Sequence, residues 1–247
     1  MALAHRYALY LSPTGPWRDA GSRWLGRCAD TGATLPALPG QPDAARDWTA
    51  APHHYGLHAT LKPPFRLAPG ASPQALDATV RALARGIAPF DVMLECDTLR
   101  GFLAWRIAQT DTLGRARMQA LADAAVRDLD ALRAPPSADE LARRQAHTLT
   151  AEQQAMLARW GYPYVFDTYT FHITLTGKLA GQALIDAQRS VAAFADPLRG
   201  RAMNVSSVSL FVQPEPGADF VAARHYHFDG RLVDAIGAPA LQGTASS

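Results

Sequence analysis

Two short segments of this 247-residue chain carry the same chemistry-bearing pattern. The first reads Gly56-Leu57-His58-Ala59-Thr60-Leu61-Lys62, and the second Phe171-His172-Ile173-Thr174-Leu175-Thr176-Gly177-Lys178. On a β-strand successive side chains alternate faces, so His58, Thr60 and Lys62 would share one face, and His172, Thr174 and Thr176 another. Leu57, Ala59 and Leu61, like Phe171, Ile173 and Leu175, would then pack inward. A neutral imidazole takes a proton near pH 7 and an imidazolium gives one, so two histidines facing one cleft form an acid/base pair. Threonine hydroxyls donate to phosphoryl oxygens, and lysine is a compact counter-ion for phosphate. Together these groups suit metal-free attack on a phosphodiester. One histidine activates water or an internal hydroxyl, the other protonates the leaving oxygen, and Thr60, Thr174, Lys62 and Lys178 hold the developing charge.

A bare His-x-Ser/Thr match is weak, because eight histidines give roughly 0.8 chance occurrences. The pair is stronger than its parts. Both segments read as strands, both are followed by leucine, and each precedes one of the chain's two lysines. The bland alternative is a polar histidine on each of two half-exposed strands.

The elements that must position these residues follow from periodicity. Arg6 to Leu11 reads as a first strand, and Trp17 to Arg27 has apolar residues at helical spacing. From Asp30 to Ala51 the pattern disappears among prolines, which predicts a long loop of the kind that serves as a lid or binding loop. Tyr55 to Pro63 reads as a strand. Ser72 and Pro73 open a helix that runs to about Arg85. Phe90 to Leu99 and Phe102 to Ala108 make a hairpin around Arg100-Gly101. Leu113 to Leu132 is a long helix, with shorter helical stretches at Ser137 to Arg144 and Thr150 to Trp160. Then come a strand (Tyr169 to Thr176), a helix (Gly181 to Phe194) and two strands (Val205 to Gln213, Phe220 to Phe228). Strand, helix, strand, strand thus occurs twice. That order predicts an α+β, bilobal duplicated fold over residues 1–236, with two mostly antiparallel sheets, outer helices and a central cleft. Residues 237–247 read as a frayed tail.

Composition narrows the class. Hydrophobic residues at 48% and charged residues at 19% describe a globular chain. A net charge of +2 argues against a nucleic-acid partner without closing that route. Cys28 and Cys96, far apart and outside any CxxC, fit a reduced compartment. No stretch approaches a membrane span, and the N-terminal apolar run is too short for a signal peptide, so the expected location is cytoplasmic. His53 with His54, and His225 with His227, could suggest a metal. No carboxylate accompanies either pair at ligand spacing, so no metal and no other cofactor is expected. Tyr162 and Tyr164 read as core aromatics or as cleft walls.

The paired HxTL strands in a duplicated α+β chain resemble the two-histidine (2H) phosphoesterase superfamily, the bilobal group of LigT-like 2′-5′ RNA ligases and cyclic nucleotide phosphodiesterases. More closely, the chain resembles the branch encoded with phosphonate-degradation genes. Five segments carry this: Arg6 to Leu11; Trp24-Leu25-Gly26 with Thr31-Gly32; Tyr55 to Leu67; Ala131 to Pro135 with Glu140 to Arg144; and Trp160 to Thr176. The resemblance implies a cleft between two lobes, with His58 and Thr60 from one and His172 and Thr174 from the other. It implies a metal-free enzyme that opens a cyclic phosphate on phosphorylated ribose, a small-molecule substrate. Thr176, Lys178 and Lys62 would help to bind it. Arg133, Arg143 and Arg144, in a segment of that resemblance, would be a solvated face or, turned inward, a pocket for a second phosphate. Two other functions compete: processing of RNA ends (2′,3′-cyclic phosphate hydrolysis or 2′-5′ ligation), and non-catalytic binding of a phosphate ester. The first calls for a broad basic, aromatic-studded surface, and the second would not need both histidines.

Overall fold

The computed structural model describes residues 3–145 and 148–242. Its strands are β1 (Arg6–Leu11), β2 (Ala59–Phe65), β3 (Phe90–Leu99), β4 (Phe102–Ile107), β5 (Ile173–Thr174), β6 (Ala202–Val205), β7 (Ser207–Gln213), β8 (Val221–His227) and β9 (Leu232–Asp234). The helices are α1 (Gly15–Leu25), α2 (Ala45–His53), α3 (Pro73–Arg85), α4 (Thr112–Asp128), α5 (Ala138–Gln145), α6 (Ala151–Trp160) and α7 (Gly181–Ala195). The fold is α+β.

Instead of two sheets there is one antiparallel sheet in the order β6-β3-β4-β5-β2-β1-β7-β8-β9. The expected strand-helix-strand-strand order holds for β2, α3, β3 and β4, whereas β5 and α7 are followed by four strands, and the halves do not form separate sheets. Strand β2 pairs with β1, whereas the β3–β4 hairpin that follows it pairs with β5. The β7–β8 hairpin after β5 lies on the far side of β1. The sheet is also strongly curled. Six strand spacings separate β6 from β7 in the order, roughly 29 Å in a flat sheet at about 4.8 Å each. Only Ser206 joins them, and it bridges at most about 7 Å between the flanking Cα atoms.

Alternation sorts the sheet into two faces. Tyr7, Leu9 and Leu11 of β1, with Ala59, Leu61 and Ile173, enter the main core with Leu76, Val80, Leu121 and Ala125 of α3 and α4. Ala8 and Tyr10, on the other face of β1, join a small cluster with Phe211 and Phe220. Helix α3 starts where the sequence indicates: the Ser72 hydroxyl accepts the Ala75 N–H, with Pro73 in the first turn. The two-residue turn between β3 and β4 has φ of 51° at Arg100 and 89° at Gly101, as a type I′ turn requires.

Two expectations need correction. The pattern-free segment contains α2, whose buried Ala45, Trp48, Thr49 and Pro52 face the protein. Proline at its C-terminal end masked the period. The expected frayed tail is docked as far as the described chain goes: Ala238–Leu241 form a helical turn, Leu241 is buried, and Tyr7 Oη donates to the Ala240 carbonyl. Residues 243–247 lie outside the described residues. No helix among those described is long and apolar enough to cross a membrane.

Candidate active site

The two histidine strands are neighbours. Ala59 is paired with Ile173 in the antiparallel β2–β5 ladder, and both side chains are buried in the core. The residues on either side therefore share the opposite face: Thr60 stands across from His172, and His58 across from Thr174. Diagonal neighbours in such a ladder lie about 7–8 Å apart, so the imidazoles are spaced to flank one small group. Strand β5 has two residues, and side chains extend its hold. Trp24 Nε1 donates to the Leu175 carbonyl (2.8 Å), and Thr176 Oγ1 accepts the Leu103 N–H (3.0 Å). The Gly177 N–H donates to the Trp48 carbonyl of α2 (2.7 Å).

Both imidazoles are oriented by the same local device. His58 Nδ1 lies 2.9 Å from the Gly56 carbonyl, and His172 Nδ1 lies 2.8 Å from the Thr170 carbonyl. A carbonyl only accepts, so Nδ1 carries the proton in each ring and Nε2 is left for chemistry. The His58 ring stacks on Tyr10 with centroids 3.9 Å apart, and His172 lies 5.6 Å from the Phe102 ring. Burial lowers His58 to about 4; the Gly56 carbonyl opposes this and a charge on His172 adds to it. Burial also lowers His172, opposed by the Thr170 carbonyl and reinforced by Arg100 and Arg106. Burial thus favours the uncharged form of both rings in the free protein.

A cavity of about 480 Å³ opens over this face, lined by His58, Thr60, His172, Thr174 and Lys178 among others. The Thr60 and Thr174 hydroxyls make no hydrogen bond among the described residues, so both are available to a ligand. Lys178 is exposed at the rim. Thr176 also borders the cavity, but its buried hydroxyl is committed to Leu103 N–H and the Gly177 carbonyl. It lies two residues beyond β5, and its hydroxyl holds the backbone instead of standing free for a ligand as expected.

Lys62 is a larger correction. Thr60 pairs with Tyr10, yet Lys62 pairs with Leu9, so the register slips and Leu61 and Lys62 together oppose one residue. The bulge sends Lys62 to the core face, where it is 1% exposed and its Nζ bonds Asp130 Oδ1 and the Val126 carbonyl, both at 3.0 Å. Arg133 is likewise absent from the cavity. Its Nε bonds Asp130 Oδ1 at 2.9 Å, and it borders a separate groove with Trp160 and Glu140. Arg143 and Arg144 fall on α5, but their side chains lie outside the described residues. The four remaining histidines named above have other partners: His53 the Leu25 carbonyl, His54 Asp219, His225 Asp30 and Ser209, and His227 Arg231. Tyr162 walls the cavity, and Tyr164 stacks under Arg100, 4.2 Å from its guanidinium carbon.

Arg6, Tyr10, Tyr55 and Phe102 also line the cavity, although the sequence pattern assigns none of them a site role. Arg6 and Tyr10 lie in a segment of the resemblance, and alternation puts Arg6, Ala8 and Tyr10 on one face of the first strand. That this strand adjoins the one bearing His58 is a long-range pairing, which periodicity does not encode.

A family model described as protein of unknown function (DUF1045) matches residues 60–221. Two curated relatives both bear the name ribose 1,5-bisphosphate phosphokinase PhnN. One, from Laribacter hongkongensis (strain HLHK9), is 41% identical over 223 residues, which is 89% of this chain and 51% of the relative. The other, from Janthinobacterium sp. (strain Marseille), is 36% identical over 239 residues, 92% of this chain and 51% of the relative. The chain spans about half the length of the curated relatives it matches.

Proposed function

The chain belongs to the DUF1045 family, and from its two histidines and the names of its relatives we propose a metal-independent phosphodiesterase that opens a cyclic phosphate on a phosphorylated ribose, in the manner of the 2H phosphoesterases. The observation that carries the reading is the matched pair: two imidazoles with Nδ1 tied to a backbone carbonyl and Nε2 free, beside two unpartnered threonine hydroxyls in one cavity. In the proposed reaction one Nε2 takes a proton from water as its oxygen bonds to phosphorus. The other Nε2–H protonates the ring oxygen whose bond to phosphorus breaks, giving a phosphomonoester and a free hydroxyl. Thr60, Thr174 and Lys178 donate to the non-bridging oxygens.

The relatives' name fits this reading as a neighbouring step. By its name the kinase acts on ribose 1,5-bisphosphate, and half of each relative lies outside the match. This chain has no GxxxxGK[ST] segment of the kind that cradles nucleotide phosphates. Hydrolysis of a 1,2-cyclic phosphate on ribose 5-phosphate, with the 2-oxygen leaving, gives ribose 1,5-bisphosphate. A second reading, opening of a 2′,3′-cyclic phosphate at an RNA end, draws on the aromatic walls Tyr55, Phe102 and Tyr162, which could stack a base. Assaying a panel of cyclic sugar phosphates, cyclic nucleotides and RNA ends for phosphomonoester release separates the two. Absence of turnover across the panel would leave the non-catalytic phosphate-ester binder.

Two conditions test the mechanism. Activity should survive exhaustive EDTA treatment; loss in chelator with recovery on adding Zn²⁺ or Mn²⁺ would overturn the metal-free reading. The pH dependence has a definite sign. The dyad needs one protonated and one neutral ring, and burial lowers both histidines below 6.5 in the free protein. The kcat/KM profile should therefore peak on the acid side of 6.5 and fall as pH rises from there. A bound phosphate anion favours imidazolium, so the kcat profile should lie at higher pH than that of kcat/KM. A kcat/KM optimum above pH 8 would exclude the two-imidazole scheme.

A further inference from the structure

The cavity contains a cation that the dyad does not use. Arg6 opens β1 and shares the cavity-facing side of that strand with Tyr10, which stacks under His58. Four residues along a strand cover about 13 Å, and the arginine side chain spans much of that. Its head can therefore lie about one pentose ring from the histidines. The β1–β2 register sets Arg6 toward Pro63 and Pro64 of β2, whereas Lys178 follows Thr174 of β5 from the other end of the paired segment.

Arg6 is held in place by a buried neighbour. Its cross-strand partner in the β1–β7 ladder is Gln213, which is 1% exposed. Gln213 Oε1 accepts Arg6 Nε–H at 2.7 Å, and Gln213 Nε2 donates to the Ala218 carbonyl at 2.8 Å, so both ends of the amide are committed. The guanidinium carbon stands 5.5 Å over the Phe220 ring. Among the described residues neither terminal nitrogen has a hydrogen-bond partner, and none of those lining the cavity is a carboxylate. A guanidinium fixed through Nε with its two outer nitrogens unsatisfied is a preset fork for an anion's oxygens. Among the described lining residues the charged side chains are Arg6 and Lys178, both cations. That charge matches a substrate with a second anionic group better than one with a phosphodiester alone.

We infer that Arg6, positioned by Gln213, is a specificity-determining residue that binds the non-reacting phosphate of the substrate. This rests on the phosphodiesterase reading for the identity of the reacting group, but not for the presence of an anion subsite. The test measures kcat/KM for ribose 1,2-cyclic phosphate with and without a 5-phosphate. Wild type should prefer the 5-phosphate by about ten- to a hundredfold, the scale of a charge-assisted bond. Arg6→Met should bring the ratio close to one, whereas Arg46→Met, which removes a charge on the far side of α2, should keep it. A binding measurement needs no turnover: ribose 5-phosphate, unlike ribose, should raise the melting temperature of wild type and of Arg46→Met but not of Arg6→Met. If wild type opens both esters equally and ribose 5-phosphate fails to stabilise it, the Arg6 subsite is wrong and the phosphodiesterase stands. If neither ester is opened but stabilisation depends on Arg6, the subsite stands and the reaction is wrong. Stabilisation that persists in Arg6→Met overturns the inference, because the phosphate would then sit elsewhere.

Discussion

Replacing His58 or His172 by alanine is expected to lower kcat for cyclic-phosphate opening by about 10²–10⁴, the usual contribution of a positioned acid or base. The two losses should not multiply. In-line displacement needs one ring to accept a proton while the other gives one, so removing either disables the concerted route. The double variant should be only slightly slower than the worse single one. Since the Nδ1–H of each ring bonds a carbonyl two residues back, alanine also frees the Gly56 or Thr170 carbonyl. His→Asn variants, which retain a side-chain donor, test whether any loss is merely local loosening. Asparagine cannot exchange a proton near neutral pH, so both asparagine variants should be as inactive as alanine while melting close to wild type. Turnover near the wild-type rate in either single variant would falsify the two-histidine mechanism.

The legible and illegible parts of the site divide along sequence distance. The HxT pattern gave the cavity-facing residues of β2 and β5 because alternation is local and the inward residues, Ala59 and Ile173, are apolar. The same rule failed two residues later at Lys62. Pro63 and Pro64 supply no ladder N–H, the register slips at Leu61–Lys62, and a single extra residue reverses the face. Proline also hid α2, whose Ala51 and Pro52 close one side of the cavity. Thr176 was placed correctly by alternation, but its hydroxyl is consumed by the backbone that it anchors. The element order was readable through the hairpin of β3 and β4 and the capped helix α3. What could not be read was the exchange of hairpins between the repeats. That depends on β2 meeting β5 and on β6 running through Ser206 into β7 across the curl, contacts that no window of the sequence contains. Arg6 was missed for the same reason: its place in the cavity comes entirely from the neighbours of β1.

The displaced lysine leads to the largest stability effect expected. Lys62 Nζ is buried between the Val126 carbonyl and Asp130, and burial lowers its pKa while Asp130 raises it. Burial would raise Asp130, but hydrogen bonds from Arg133 and Lys62 hold it below the usual carboxylate range. The pair is unequal, since the lysine side chain is 1% exposed and the aspartate 26%. Removing the aspartate should therefore cost much more than removing the lysine. Asp130→Ala strands an ammonium in the core, and breaking a buried pair in this way costs about 3–5 kcal/mol. In a chain of this size that corresponds to a fall in melting temperature of roughly 6–20 °C. Lys62→Met keeps most of the packed methylenes and leaves Asp130 bonded to Arg133 and partly in water, so its cost should stay near 1 kcal/mol. Thermal melts of the two variants, with the double variant as control, measure the difference. In the double variant no ammonium is buried, so it should melt well above Asp130→Ala. Because Lys62 points away from the cavity, Lys62→Met should also keep kcat/KM within a few-fold of wild type. A melting temperature as low as that of Asp130→Ala, or a collapse of kcat/KM with the fold intact, would return Lys62 to the face that alternation alone assigned it.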